Sequence, residues 1–429
     1  MTTATVIMWS SEIGYVTWLP DRSLGVFQYN EDFVRSGIQV APLMMPLSEI
    51  PFEFPALNRE TFRGLPGMLA DSLPDKFGNA VINAWLAREG RPEESFTPVE
   101  RLCYTGQRGM GALEFEPVIV GPRTEQKRIE VDRLVELANQ VLDTQADLGG
   151  VLEDEHALDD ILRVGTSAGG ARAKAILAWN PDTNEFRSGQ IKNESGFEYW
   201  LLKFDGISNN RDKELADPQG FGLIEYTYHK MALQAGIEMT KCRIHEENGR
   251  HHFMTQRFDR DQKGGKVHMQ TLGAIAHYDF NQLASYSYEQ ALQVMKRLGL
   301  SRLELEQQVL RTMFNVVARN HDDHVKNIAF LMDREGKWRL SPAYDVIYAY
   351  NPTGNWTSRH QMSVNGKWEH ISREDLLQLA SVAGIKRPRA GTMLDRVLEA
   401  VRQWPDIAEE VGVINDQIQQ IQKTHRVKI

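Results

Sequence analysis

Arg319-Asn-His-Asp-Asp-His-Val-Lys-Asn327 is the stretch that decides how this sequence reads, together with Asp345 in Ser341-Pro-Ala-Tyr-Asp345. Asp322 and Asn327 have four residues between them, the Asp-to-Asn spacing of catalytic loops that transfer phosphoryl groups. In that chemistry the Asp takes the proton of the attacking hydroxyl, and the Asn amide oxygen holds a Mg²⁺ ion. A second Asp, beyond a β-hairpin, holds the metal that bridges the phosphates. Each part is present in order. Residues 328–332 form a short apolar strand, Asp333-Arg-Glu-Gly336 reads as a turn, and residues 337–340 pair back. Asp345 follows. A lone D-x-x-x-x-N would read as a solvated loop; the hairpin and the second Asp turn the reading toward phosphoryl transfer.

Working outward, Gly165-Thr-Ser-Ala-Gly-Gly-Ala-Arg-Ala-Lys174 offers small residues, Gly169 and Gly170 among them, that let backbone N–H groups approach anionic oxygens. It matches neither G-x-x-x-x-G-K-[ST] nor G-x-G-x-x-G, and by itself it reads more readily as a flexible turn. Its position gives it weight, because a strand at 199–204 follows whose Lys203 is flanked by apolar residues. A buried Lys needs an anion; the alternative is a Lys on the exposed face of an alternating strand. The order of glycine-rich loop, strand Lys, linker strand, Asp…Asn, hairpin and Asp follows the kinase layout, whereas a Walker-type NTPase places loop and lysine together.

Bulk composition narrows the classes. The chain has 429 residues, 41% apolar and 25% charged, enough for two or three domains with a sizeable core. A formal charge of −9 and a pI near 5.8 make it a poor nucleic-acid binder alone. Cys103 and Cys242 lie far apart without a metal-ligand pattern, which suits a reducing cytosol. No stretch approaches the ~18 consecutive apolar residues of a membrane span, and no basic segment precedes an apolar core at the N-terminus. The expected location is cytoplasmic, without membrane association.

Residues 1–60 read as a β-rich lobe with strands at 4–9, 14–19 and 24–29. Asp71-Ser-Leu-Pro74 reads as a helix N-cap with Pro in the first turn, the helix stopping at Gly90. Gly106-Gln-Arg-Gly-Met-Gly111 reads as a plain turn and Gly121-Pro122 as a linker. Helices are expected at 129–140 and 221–235, and a strand at 253–258 carries Gln256-Arg-Phe-Asp-Arg260. Further helices at 373–383, 391–401 and 406–425 make the second half mostly helical.

Taken together, the 165–174 loop, Leu202-Lys-Phe204, Gln256-Arg-Phe-Asp-Arg260, Asn320–Asn327 and Ser341–Asp345 resemble the HipA-like toxin kinases over nearly the whole chain. Those are serine/threonine kinases of bacterial type II toxin–antitoxin modules, with a fold distantly similar to phosphoinositide kinases. The resemblance implies that Asp322 is the catalytic base, that Asn327 and Asp345 are Mg²⁺ ligands, and that Lys203 meets the nucleotide phosphates. It makes Gln256, Arg257, Phe258 and Asp259 the adenine-side hinge. Ser167 aligns with the serine that family members phosphorylate on themselves, which implies an inactivating switch, with Thr166 as the neighbouring fallback. Gln256 stands where the pattern often has Glu, which leaves purine preference open. His321 and His324 flank the Asp pair, but carboxylates and an amide suit Mg²⁺ better than an imidazole site does. His324 is expected to shape the loop beside the nucleotide, and Lys326 either meets the γ-phosphate or faces solvent.

The resulting expectation is an α+β, two-lobed, kinase-like fold: a β-rich N-terminal subdomain (1–120), a nucleotide-binding part (121–260) and an α-helical catalytic lobe (261–429). Its expected activity is ATP- and Mg²⁺-dependent phosphorylation of Ser or Thr on a protein such as glutamyl-tRNA synthetase, inhibiting translation and growth. The alternatives are a small-molecule kinase, or an antitoxin-binding corepressor with vestigial catalysis. The expected partner is a basic, dimeric, HipB-like helix-turn-helix antitoxin that holds two toxin chains and carries them to operator DNA.

Overall fold

Alternation in Thr2–Met8 buries Ala4, Val6 and Met8 on one face, the period-two pattern of a half-buried strand. Trp9 and Ser10 both take positive φ (53° and 67°), which closes a two-residue hairpin to the antiparallel strand Ser11–Leu19. In the computed structural model, which describes residues 2–119, 128–146, 161, 164, 172–190, 192–207, 211–212, 215–216, 220–261 and 263–429, these strands belong to a four-stranded sheet. Its order is Leu24–Tyr29, Ser11–Leu19, Thr2–Met8, Leu113–Glu116. Gly14 allows the closest approach in it: a Cβ there would lie 2.2 Å from the Gln28 carbonyl oxygen and 2.9 Å from the Phe27 ring. Gly14→Ala is therefore expected to cost about 1–3 kcal/mol by forcing two strands apart, read as a lower denaturation midpoint at unchanged m-value.

A second, five-stranded antiparallel sheet runs Cys242–Glu247, Arg250–Gln256, Glu198–Lys203, Lys174–Asn180, Glu185–Ser188. Lys174–Asn180 and Glu198–Lys203 are largely apolar runs, as strands inside a sheet covered by helices are. Ala175, Leu177, Trp200, Leu202 and Met254 share one core with Phe77 and Val81 of helix Lys76–Arg88 and with Leu134 and Val141 of helix Val131–Ala146. Helix Phe221–Ala235 packs against strand Arg250–Gln256. The remaining chain is mostly helical, built on Arg302–Ala318, whose Ser301–Glu304 capping box fixes its start. A larger core runs from the N-terminal sheet through that helix to Trp404. The fold is α+β, with a sheet-rich N-terminal region, as expected.

Two local expectations need correction. Helix Lys76–Arg88 is capped by Asp75, whose Oδ1 accepts from Gly78 N–H at 2.6 Å. Asp71 is not the cap, because its carboxylate is taken by the N–H and hydroxyl of Thr271 at 2.8 and 2.9 Å. The strand expected at 253–258 is Arg250–Gln256, since Arg257 turns into a buried ion cluster. Gly121-Pro122 and the loop bearing Ser167, Gly169 and Gly170 lie outside the described residues.

Candidate active site

Helix Arg302–Ala318 ends where Arg319 adopts a left-handed φ of 60°. That turn throws the chain into the segment holding Asp322 and Asn327, and three bonds fix its course. His321 N–H donates to the Ala349 carbonyl at 3.0 Å, Ala349 N–H to that of Arg319 at 3.1 Å, and Asn320 Nδ2 to that of Asp345 at 3.3 Å. At the far end the Tyr344 hydroxyl donates to the Lys326 carbonyl. The Asp322–Asn327 loop and Asp345 are thus tied together at both ends. The hairpin between them forms as expected: Ala329–Met332 pairs with Trp338–Leu340, and Asp333 accepts from the N–H groups of Glu335 and Lys337 at 2.9 and 3.0 Å.

The two adjacent aspartates have different surroundings. Asp323 is buried and accepts from the Tyr288 hydroxyl at 2.7 Å, His360 Nδ1 at 2.8 Å and Gln361 N–H at 2.7 Å. Its side chain is 1% exposed, so it anchors the chain. The Asp322 side chain is 28% exposed and accepts from the Trp356 indole N–H through Oδ1 at 2.7 Å. Asn327 donates through Nδ2 to the Asp322 carbonyl at 2.7 Å, which turns its amide oxygen the other way. His324 caps the short Val325–Asn327 turn, with Nε2 3.7 Å from Asp322 Oδ1. Lys326 Nζ sits 4.6 Å over the Phe280 ring. Burial holds the His321 imidazole far below its ordinary value, hence neutral, and its Nδ1 faces the Thr357 carbonyl at 3.1 Å.

Lys203 lies on the strand as expected, and its anion is double. Its ammonium contacts Glu225 Oε1 at 2.6 Å and Asp345 Oδ1. Burial alone would lower the Lys203 pKa, but Asp345 and Glu225 together raise it above the ordinary range. Burial lifts the Asp345 carboxyl, yet Lys203, Lys174 and Arg172 bring it well below the usual carboxylate range. Asp345 also sits at φ 51°, a left-handed conformation that a non-Gly residue holds only against strain and that concentrates at functional sites. Glu225, in helix Phe221–Ala235 and 3% exposed, escaped the sequence reading. Its one signal is a lone carboxylate among the apolar residues of that helix.

The Arg257 and Asp259 side chains are committed elsewhere. Asp259 accepts from Arg257 at 2.8 and 2.7 Å, from Arg260 at 2.7 Å and from Gly111 N–H at 2.8 Å. Arg260 donates to the Gly109 carbonyl at 3.1 Å. Burial lifts the Asp259 carboxyl, but the two guanidiniums hold it far below its ordinary value. This buried triad pins the Gly106–Gly111 turn to the end of strand Arg250–Gln256, so the Arg257 and Asp259 side chains serve packing there. Gln256 is half-buried at the strand's end. Phe258 packs on Tyr344, ring centroids 5.5 Å apart, beside Asp345.

A carboxylate, an amide oxygen and a nearby second carboxylate are hard donors that suit Mg²⁺, and the left-handed Asp345 turns one of them toward the strand lysine. Among the described residues no cluster of three His, Cys, Asp or Glu side chains forms a separate metal site, and no helix is long and apolar enough to cross a membrane.

Comparison with known proteins places the fold and the family. No curated protein sequence matches the chain. Among solved structures, HipA of Shewanella oneidensis MR-1, from a toxin–antitoxin complex with HipB and its operator DNA, superposes with a TM-score of 0.66 at 16% identity. That match covers 98% of this chain and 95% of the other, and it shows a shared fold. The HipA N-terminal domain family matches residues 4–116 and the HipA-like C-terminal domain family residues 166–404. The C-terminal family alone spans more than half of the chain and the N-terminal one precedes it in order, so the chain belongs to the HipA family.

Proposed function

We propose that this protein is an ATP- and Mg²⁺-dependent serine/threonine protein kinase acting as the toxin of a toxin–antitoxin pair in the cytoplasm. The observation that carries the reading is Lys203, held between Glu225 and Asp345, where Asp345 is tied through Asn320 and Tyr344 to the loop that carries Asp322 and Asn327. A lysine paired to a helix Glu and standing beside a metal-binding Asp is the arrangement that orients nucleotide phosphates in kinases. Asn327 and Asp345 would hold Mg²⁺, which neutralises charge on the phosphates when bound. Lys203 exchanges part of its carboxylate contact for phosphate oxygens, and Asp322 orients the acceptor hydroxyl and takes its proton. Catalysis on this scheme is positioning plus charge stabilisation.

Asp345→Asn removes a proposed metal ligand and one of the two anions that Lys203 faces. Calorimetric titration with Mg²⁺-ATP is expected to show affinity weakened by at least about tenfold, while adenosine binding stays as it was. Unchanged Mg²⁺-ATP affinity would remove Asp345 from the site.

The same reading gives Ser167 as the self-phosphorylated residue. A phosphate there adds up to about two negative charges to a loop whose expected task is holding other phosphates, which would switch the kinase off. The structural relative was solved with HipB and its operator DNA, which supports a HipB-like antitoxin as partner. With a formal charge of −9, this chain would reach DNA mainly through that partner. Gel shifts at two salt concentrations are expected to show no operator-specific binding by the chain alone and a salt-dependent supershift with antitoxin present. Tight, salt-insensitive operator binding by the chain alone would contradict this. A small-molecule kinase would use the same residues, and a protein acceptor is favoured by the family.

A further inference from the structure

The aspartate next to the proposed base is buried and fully bonded, and its bonds lead back to the base. Asp323 Oδ1 accepts from Gln361 N–H at 2.7 Å, and Oδ2 from His360 Nδ1 at 2.8 Å and the Tyr288 hydroxyl at 2.7 Å. Its side chain and that of His360 are 1% and 2% exposed, so residues 360–361 are clamped to the catalytic loop. The Gln361 side-chain amide then reaches back and donates to the carbonyl of Trp356. Trp356, itself buried, aims its indole N–H at Asp322 Oδ1, 2.7 Å away. Its ring also meets His324, centroids 6.2 Å apart, and His324 Nε2 lies 3.7 Å from the same Asp322 oxygen. The path Tyr288–Asp323–Gln361–Trp356–Asp322 closes on itself through the single peptide bond between Asp322 and Asp323.

We propose that Trp356 is a positioning residue that fixes the orientation of the Asp322 carboxylate, with Asp323 and Gln361 as the anchor that holds the indole in place. The inference rests on the phosphoryl-transfer reading above and adds a residue to it. The physical need is plain. A carboxylate at the open end of a loop rotates about two side-chain torsions, and an acceptor that must meet a hydroxyl proton loses rate steeply when displaced. A rigid, buried indole offers one N–H and no acceptor. It therefore holds one carboxylate oxygen and leaves the group's proton-accepting task to the other. Two neighbouring aspartates thereby divide the work: Asp322 meets the acceptor, and Asp323 builds the brace that aims it.

The test is Trp356→Phe in the full-length chain, which keeps a large aromatic ring and deletes the N–H. The rate of self-labelling from γ-labelled Mg²⁺-ATP is measured across ATP concentration, alongside the melting temperature. The expected result is a maximum rate lower by about ten- to a hundredfold, with the half-saturating ATP concentration unchanged, because the indole N–H is spent on Asp322 and on none of Lys203, Asn327 and Asp345. Where Phe unsettles the packing, benzothienylalanine at position 356 replaces the N–H by sulfur in a ring of nearly the same shape and is expected to show the same fall. A benzothienyl variant that labels at the wild-type rate would overturn the inference. So would a fall in rate matched by a rise in half-saturating ATP, which marks general damage. A wild-type chain that binds Mg²⁺-ATP but transfers nothing would overturn the kinase reading instead, and this inference with it.

Discussion

Asp322→Asn is expected to slow phosphoryl transfer by about 10²–10⁴-fold while leaving Mg²⁺-ATP affinity within a few-fold and the melting temperature unchanged. The substitution is nearly isosteric, and its amide oxygen still accepts the Trp356 N–H, so the brace around the loop persists. What disappears is a group able to take the hydroxyl proton. The neighbouring carboxylate cannot replace it, because Asp323 is buried under three donors. Self-labelling kinetics with γ-labelled Mg²⁺-ATP, paired with calorimetry, separate the two effects. A variant that labels at the wild-type rate would remove Asp322 from the chemistry.

Lys203→Met is expected to damage both binding and folding. It removes the cation proposed to face the phosphates, so Mg²⁺-ATP affinity is expected to fall below detection by calorimetry. It also leaves Glu225, 3% exposed, with its closest positive partner gone, a loss of about 3 kcal/mol for a broken buried pair. Burial already raises the Glu225 carboxyl above its ordinary value, with Lys203 holding it back. In the variant it rises further and takes up a proton. A carboxyl whose folded pKa is raised contributes most below its unfolded value, and that contribution is lost as pH climbs through the folded value. The stability deficit of Lys203→Met is therefore expected to widen from pH 5 to pH 8. Adding Glu225→Gln should flatten that slope without restoring nucleotide binding. A deficit independent of pH, in denaturant titrations at several pH values, would show that Glu225 does not depend on Lys203.

Much of this site was legible because its signals are local. The Asp322–Asn327 spacing, the Asp333–Gly336 turn and the alternation on either side of it are written within some twenty-five residues, where turn chemistry and strand period act directly. Lys203 was legible from the cost of burying a charge, which demands an anion. Which anion was beyond sequence reasoning: Glu225 and Asp345 lie 22 and 142 positions away, and only packing of the helix and hairpin brings them together. Distance also hid the competition that moved the helix cap from Asp71 to Asp75, because Thr271 lies 200 positions on. Arg257 and Asp259 carried a family motif, but their burial as a triad with Arg260 follows from the approach of the Gly109–Gly111 backbone, which no local pattern announces. Trp356 stood silent in a loop with no helical or strand period. Its role depends on one indole N–H meeting one carboxylate oxygen.

Phosphoryl transfer from ATP to a protein hydroxyl is the activity proposed for this chain. Its most direct test is quantitative phosphoproteomics after brief induction, comparing the wild-type chain with Asp322→Asn at equal abundance. The prediction is one or a few new phosphoserine or phosphothreonine sites on a cellular protein, together with phosphate on Ser167 of the chain itself, all absent from the variant. Indistinguishable phosphoproteomes, with both proteins folded and the wild type binding Mg²⁺-ATP, would contradict it.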